Sequence, residues 1–342
     1  MGFFNFFTKE LAIDLGTANT LIVYEGEIVV DSPSIVAKDL KTGKIIAVGK
    51  EAAMMQGKEH KGISIIRPLK DGVIADFEAS EQMIQEFIRQ IPALKKSFFT
   101  PKLKMVICIP SGITEVEKRA VRDSAEKVNA SEVYLIPEPM AAAIGMGIDI
   151  TKPQGNMVID IGGGTTEIAV ISLGGIHVEK SVKIAGDVFN DDIAYYMRAK
   201  HNLIVGERTA EKIKINVGSA VDELSNPPED YPVRGRDVIT GKPKEVIVSY
   251  NEIAKALDKS LVRIESAIME TLSKTAPELS ADIYKGGLFL AGGGSLLRGL
   301  DKRISEATGL PVHVAEDPLR AVIRGTGMVI NNFEKLKVAL DQ

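Results

Sequence analysis

The chain has 342 residues, 45% hydrophobic and 26% charged, with a formal net charge of −4 at pH 7. That length exceeds what one hydrophobic core usually serves, so two principal lobes are expected, and the composition excludes a disordered chain. The slight acidity gives no case for nucleic-acid binding, and a single cysteine excludes an internal disulfide framework.

Taken in chain order, short β-rich segments alternate with amphipathic helical ones, the pattern of an α/β protein. The opening reads as a meander: Leu11–Asp14, a turn at Gly16–Asn19, Thr20–Tyr24, a turn at Glu25-Gly26, then Glu27–Val30. Met83, Ile84, Phe87, Ile88 and Ile91 share one face of a predicted helix over Glu78–Ile91. Cys108 falls in the apolar strand Lys104–Ile109, where a buried thiol is expected. Thr114 and Glu117 have the spacing of a capping box for a helix reaching about Asn129. Strand Val133–Ile136 leads through Pro137-Glu138-Pro139 into a small-residue helix, Met140–Gly147.

The opening pattern then returns. Leu11-Ala-Ile-Asp-Leu-Gly-Thr-Ala-Asn-Thr20 and Met157-Val-Ile-Asp-Ile-Gly-Gly-Gly-Thr-Thr166 share one frame, and each runs into a second β segment, Leu21–Tyr24 and Glu167–Ser172. A strand–turn–strand unit repeated about half a chain apart predicts an internal duplication, with two related lobes facing each other. Further helices are expected over Asp187–Lys200, over Glu207–Val217 with Gly218 as its stop, and over about Asn251–Ser273. Asp222–Lys244 reads as a polar loop carrying short strands. Strand Gly287–Leu290 enters Gly292-Gly293-Gly294-Ser295, followed by a helix to Thr308 stopped by Gly309 and a last helix from about Pro318 to Ile330.

Glycine-rich turns between strands let backbone N–H groups converge on one spot, as polyphosphate binding requires. Gly16-Thr17-Ala18-Asn19 and Gly162-Gly163-Gly164-Thr165 are two such turns, with Thr17, Asn19, Thr20, Thr165 and Thr166 as added donors. Each follows an aspartate at a strand end, Asp14 and Asp160. Two carboxylates beside a polyphosphate repel it unless a cation lies between them, which points to Mg²⁺ held largely through its waters. His60, His177, His201 and His313 lack ligand spacing and predict no zinc site.

Asp14-Leu-Gly-Thr, Asp160-Ile-Gly-Gly-Gly-Thr and Leu290-Ala-Gly-Gly-Gly-Ser resemble, in order, the first phosphate loop, second phosphate loop and adenosine loop of the actin, sugar-kinase and heat-shock-chaperone superfamily. Within it the chain is most similar to the MreB family of bacterial actins, over nearly its whole length. The stretches that carry this are Ile13–Thr20, Ile66–Asp76, Glu138–Gly145, Val158–Glu167, Gly206–Lys214 and Gly292–Gly299. The resemblance implies an actin-like ATPase fold with four subdomains around a cleft for ATP and Mg²⁺. One lobe would comprise residues 1–30, 64–146 and 314–342 with an insert at 31–63, and the other 147–179 and 245–313 with an insert at 180–244. It implies that Glu138 positions or activates the water attacking the γ-phosphate, with Thr165 as the second catalytic candidate. It places Glu211, Lys212, Ile213 and Lys214 at ribose and adenine, and Gly292, Gly293, Gly294 and Ser295 against the nucleoside. It also implies head-to-tail filaments, paired and antiparallel, that recruit membrane proteins of the wall-elongation machinery to maintain cell shape.

Two aromatic segments point to a membrane surface. As a helix, Met1–Lys9 would gather Phe3, Phe4, Phe6 and Phe7 within an arc of about 160°, and Phe98 and Phe99 sit between lysines in Lys95–Lys104. Members of the MreB family are similar in binding membrane through such elements. Phe6 occupies the position where N-myristoylation needs Ser or Thr, so no acyl chain is expected. No apolar run approaches the roughly 18 residues that span a bilayer, and Met1–Lys9 lacks the features of a secretory signal. The expected location is therefore the cytoplasm, at the inner face of the cell membrane. The competing reading is a small-molecule kinase of the same superfamily, although no catalytic aspartate motif for an acceptor hydroxyl is found. A chaperone would need a peptide-binding domain beyond the lobes.

Overall fold

The structure, a computed structural model, describes residues 8–95 and 102–341. Two five-stranded sheets dominate it. In the first, Thr8–Leu15, Asn19–Tyr24 and Glu27–Pro33 form an antiparallel meander, and Lys102–Ile109 then Ala130–Pro137 add in parallel beyond Thr8–Leu15. In the second, Asn156–Ile161, Thr166–Ser172 and Gly175–Val182 form the meander, with Leu288–Ala291 then Val312–Val314 in parallel beyond Asn156–Ile161. The topologies match, as the repeated tenmers predict. Parallel neighbours need crossover connections, and helix Glu115–Lys127 supplies the one between Lys102–Ile109 and Ala130–Pro137.

Successive strand residues point to opposite faces, and this period decides where the chemistry lies. Leu11, Ile13 and Leu15 enter an outer core with Met83, Phe87 and Ile107, while Ala12 enters a central core with Cys108 and Val158. Asp14 shares the parity of Ala12. In the second sheet Met157, Ile159 and Ile161 enter the other outer core with Phe189 and Ile264, while Val158 faces the centre and Asp160 shares its parity. Both aspartates therefore stand on the inward faces of their sheets, at strand ends. Cys108 is buried there, its thiol 2.6 Å from the Thr326 hydroxyl.

The central core joins the lobes through helices Glu138–Gly145 and Ala321–Asn331. They cross at glycines: a Cβ on Gly145 would lie 1.9 Å from the Ala321 carbonyl oxygen, and one on Gly325 would lie 1.8 Å from that of Ala141. Only bare backbone fits. Gly325→Ala is expected to destabilise the fold by at least the roughly 1–3 kcal/mol typical of overpacking, read as a lower denaturant midpoint at unchanged slope. An unchanged midpoint would show that the helices separate at little cost.

Several expected ends hold. Thr114 accepts from the Glu117 N–H at 3.3 Å while Glu117 Oε2 accepts from the Thr114 N–H at 2.7 Å, the reciprocal capping box. Helix Glu207–Val217 stops at Gly218, and helix Leu300–Thr308 stops at Gly309 in the left-handed region, φ 71°. Others shift. The small-residue helix spans Glu138–Gly145 rather than Met140–Gly147, because Pro139 is tolerated in a first turn. A 3₁₀ turn, Gly293–Leu296, precedes helix Leu300–Thr308, and another, Pro318–Arg320, precedes Ala321–Asn331. Further elements are not predicted at all, among them a hairpin of Leu69–Lys70 with Val73–Ile74 and a short helix, Phe333–Leu336, beyond the one expected to be last. Strands Ile45–Val48, Val36–Asp39 and Ile63–Ile66 make a small sheet with helix Lys50–Met55, and helix Pro277–Gly286 precedes the strand Leu288–Ala291. A second small sheet joins Leu203–Ile204, Tyr231–Asp237 and Pro243–Val248.

Candidate functional site

A cavity of about 570 Å³ opens between the lobes, and both glycine-rich turns line it. They nearly touch. A Cβ on Gly163 would lie 2.7 Å from that of Ala18, and one on Gly164 would lie 2.7 Å from the Thr17 hydroxyl. Thr17 Oγ1 in turn accepts from the Gly72 N–H at 3.0 Å, so a first-lobe hairpin braces the same spot. Any side chain at Gly163 or Gly164 would close the space in which the two sets of backbone donors face each other. Gly16, Asn19, Gly162 and Thr165 complete this part of the lining.

Asp14 and Asp160 meet at the floor, 9% and 5% exposed. Burial, then the facing Asp160, pushes the Asp14 carboxyl up to about 7, and burial alone pushes Asp160 up to about 7. Asp160 Oδ1 is buried with no hydrogen-bond partner among the described residues. A pair of inward carboxylates with an orphaned oxygen fits a hard cation, which would restore their charged form. Among the described residues no three His, Cys, Asp or Glu side chains form a metal cluster. Two carboxylates alone would leave most of such a cation's coordination positions to water or to a ligand.

Glu138 opens its helix at the cleft. Its carboxyl is pushed well above the usual range, first by burial and then by Glu167, Asp160 and Asp14. On the opposite wall, Glu211 Oε2 accepts from Lys214 Nζ at 2.7 Å and from Asn190 Nδ2 at 2.7 Å, and Lys214 also donates to the Gly186 carbonyl at 3.0 Å. Glu211, Lys212 and Lys214 all line the cleft, as do Gly292, Gly293 and Gly294. Gly292 needs its glycine: φ is 77°, and a Cβ would lie 2.3 Å from Asp160 Oδ1. Exposed Ile215, Leu296 and Leu319 add apolar surface, Leu319 beside Gly293.

Three expected binding residues do not reach the cavity. Ile213 is fully buried in the second outer core, two positions along a helix from Glu211 and so on another face. Thr20 is fully buried, its hydroxyl 2.9 Å from that of Ser34. Ser295 turns back to donate to the Gly292 carbonyl at 2.7 Å. The Thr166 hydroxyl is also structural, donating to the Ile184 carbonyl at 2.6 Å. Phe3, Phe4, Phe6, Phe7, Phe98 and Phe99 lie outside the described residues. Among the described residues no helix is long and apolar enough to cross a membrane.

The cleft also holds residues to which the sequence assigns no role. Arg67 bridges Asp187, at 3.2 Å, and Glu207, while Gln56 Nε2 donates to Glu207 Oε2 at 2.8 Å. These first-lobe side chains clasp the second lobe across the cavity. Arg67 stands in the stretch Ile66–Asp76, but an isolated arginine gives no spacing to read.

The family model described as MreB/Mbl protein matches residues 8–338. The chain is 47% identical over 331 residues to the cell shape-determining protein Mbl of Bacillus subtilis, covering 96% of this chain and 98% of that one. It is 47% identical over 335 residues to the cell shape-determining protein MreB of Escherichia coli, covering 96% and 95%. Its fold is similar to that of MreB 5 of Spiroplasma citri bound to AMPPNP, with TM-score 0.90, 39% identity and 96% and 97% coverage. Similarity to a MamK double helical filament, with TM-score 0.78, 20% identity and 95% and 99% coverage, concerns the actin-like fold alone. Two sheets of one topology, a cleft built from the repeated aspartate turns, and these matches lead to one statement: the chain belongs to the MreB/Mbl family.

Proposed function

We propose that this chain binds and hydrolyses ATP with Mg²⁺ and assembles head to tail into filaments that maintain cell shape at the inner face of the cell membrane. The observation that carries the reading is the pair of opposed glycine turns with Asp14 and Asp160 beneath them and Glu138 at their side. Asp14 and Asp160 would hold Mg²⁺, which neutralises phosphate charge when bound. The backbone of Gly16–Asn19 and Gly162–Thr165 cradles phosphate oxygens, Glu138 takes or orients the proton of the attacking water, and Thr165 helps place it. Glu211 and Lys214 face the ribose, while Ile215, Leu296 and Leu319 give a base its apolar contacts. The relatives' names, cell shape-determining proteins, support the role in shape, and an AMPPNP-bound relative supports the nucleotide.

The four-subdomain division follows the resemblance, and the small sheets within Val36–Ile66 and Leu203–Val248 support inserts near 31–63 and 180–244. Head-to-tail contact is heterologous and does not close, so it propagates. Paired antiparallel protofilaments and recruitment of wall-elongation proteins rest on the family resemblance, and the phenylalanine-rich segments support the membrane. ATP turnover with and without a panel of sugars, beside electron microscopy of the assembled protein, tests the core reading. Sugar-stimulated turnover without filaments would replace it with the small-molecule kinase. With anionic liposomes, wild type is expected to pellet. Phe98→Ser/Phe99→Ser combined with deletion of 1–7 should lower pelleting at unchanged ATP hydrolysis, since a buried Phe contributes roughly 1.5–3 kcal/mol and a filament multiplies weak contacts. Equal pelleting would remove the membrane claim.

A further inference from the structure

Glu167 is fully buried at the start of strand Thr166–Ser172, directly opposite Asp160 on one side and Ser181 on the other. It shares the inward parity of Ala169 and Ile171, so its carboxylate points to the junction of the lobes. There Oε2 accepts from the Ser111 N–H of the first lobe at 3.1 Å, and Oε1 accepts from the Ser181 hydroxyl of the second at 2.7 Å. Thr165, which ends the second glycine turn, stands two residues before Glu167 in the chain. Pro110 and Thr165 come together at Gly72: a Cβ there would lie 2.9 Å from Pro110 Cγ and 3.1 Å from Thr165 Cγ2.

For stability alone this is a poor place for a carboxylate. It is buried beside Asp160 and Glu138, and a β-branched apolar residue of similar volume would avoid the desolvation cost. What the carboxylate does, and an apolar residue cannot, is gather two donors, one from each lobe, around one point next to the second phosphate turn.

We propose that Glu167 is a positioning residue for hydrolysis: by joining Ser111 of one lobe to Ser181 of the other it fixes the adjoining Thr165 turn against the first lobe and makes water placement depend on lobe closure. This rests on the ATPase reading above. Glu167 acts through Thr165 and through the distance between the turns, without itself touching nucleotide.

The test compares wild type with Glu167→Ala, Glu167→Gln and Ser181→Ala, measuring ATP affinity by calorimetry and single-turnover phosphate release. Glu167→Ala is expected to bind ATP within a few-fold of wild type yet release phosphate about 10²-fold more slowly, the scale of a misplaced reacting group. Glu167→Gln should recover most of that rate, because its amide oxygen accepts from the Ser111 N–H and its amino group donates to a rotated Ser181 hydroxyl. Ser181→Ala removes one donor and should slow release several-fold at unchanged affinity. It carries the test if Glu167→Ala fails to fold. Wild-type rates in Glu167→Ala or in Ser181→Ala would overturn the proposal. So would a Gln variant as slow as Ala, which would mean that the charge, and not the junction, matters. A wild-type chain that turned over no ATP would instead overturn the functional reading, and the role of Glu167 with it.

Discussion

Glu138→Ala is expected to bind ATP nearly as wild type does, to polymerise, and to release phosphate about 10²–10⁴-fold more slowly, the usual contribution of a positioned acid or base. On the proposed reading binding survives, because phosphate would meet the backbone of Gly16–Asn19 and Gly162–Thr165 and a cation at Asp14 and Asp160, none of which Glu138 supplies. Rate falls because Glu138 is the enclosed carboxylate that opens its helix at the cleft, its proton affinity raised by burial and then by Glu167, and its loss leaves no side chain there to orient the attacking water. The filaments should be correspondingly longer-lived. Phosphate release and sedimentation measured side by side decide the matter. Near-normal hydrolysis would reduce Glu138 to the residue that opens its helix.

Asp160→Asn should move stability in opposite directions with and without ligand. Alone, the wild-type protein carries Asp160 buried against Asp14 with one oxygen unpaired among the described residues. Replacing that carboxylate by a neutral amide is expected to raise the melting temperature of the nucleotide-free protein. With Mg²⁺ and ATP the order should reverse. A ligand present at about 100 times its Kd stabilises wild type by about 2.7 kcal/mol, and the variant, deprived of half its cation site, should lose most of that shift. A variant that keeps the full Mg²⁺·ATP shift in a thermal melt would remove Asp160 from the metal site.

Much of this was legible because it is written in periods. The Asp14 and Asp160 tenmers predict two like strand–turn–strand units, and strand alternation turns both aspartates inward. Thr114 with Glu117 and the glycine at 218 mark helix ends through local chemistry alone. What failed was the treatment of motifs as contiguous sites. Ile213 lies between Glu211 and Lys214 in sequence but on another face of the helix, and Thr20 and Ser295 spend their hydroxyls on local bonds. The clasp of Arg67 on Asp187 and Glu207, and the junction at Glu167, join residues 120, 140 and 56 positions apart. No spacing within one segment encodes such contacts.

The glycine crossing of helices Glu138–Gly145 and Ala321–Asn331 has a mechanical consequence. Helices normally mesh ridge into groove, and meshed side chains resist sliding like gear teeth. Two bare backbones have no teeth. They meet flush, so the crossing tolerates no added carbon on either side, while the side chains around it, Ile144, Val322 and Ile323 among them, stay interlocked in the central core. One of these helices begins at Glu138, so the same flush seat sets where that carboxylate enters the cleft.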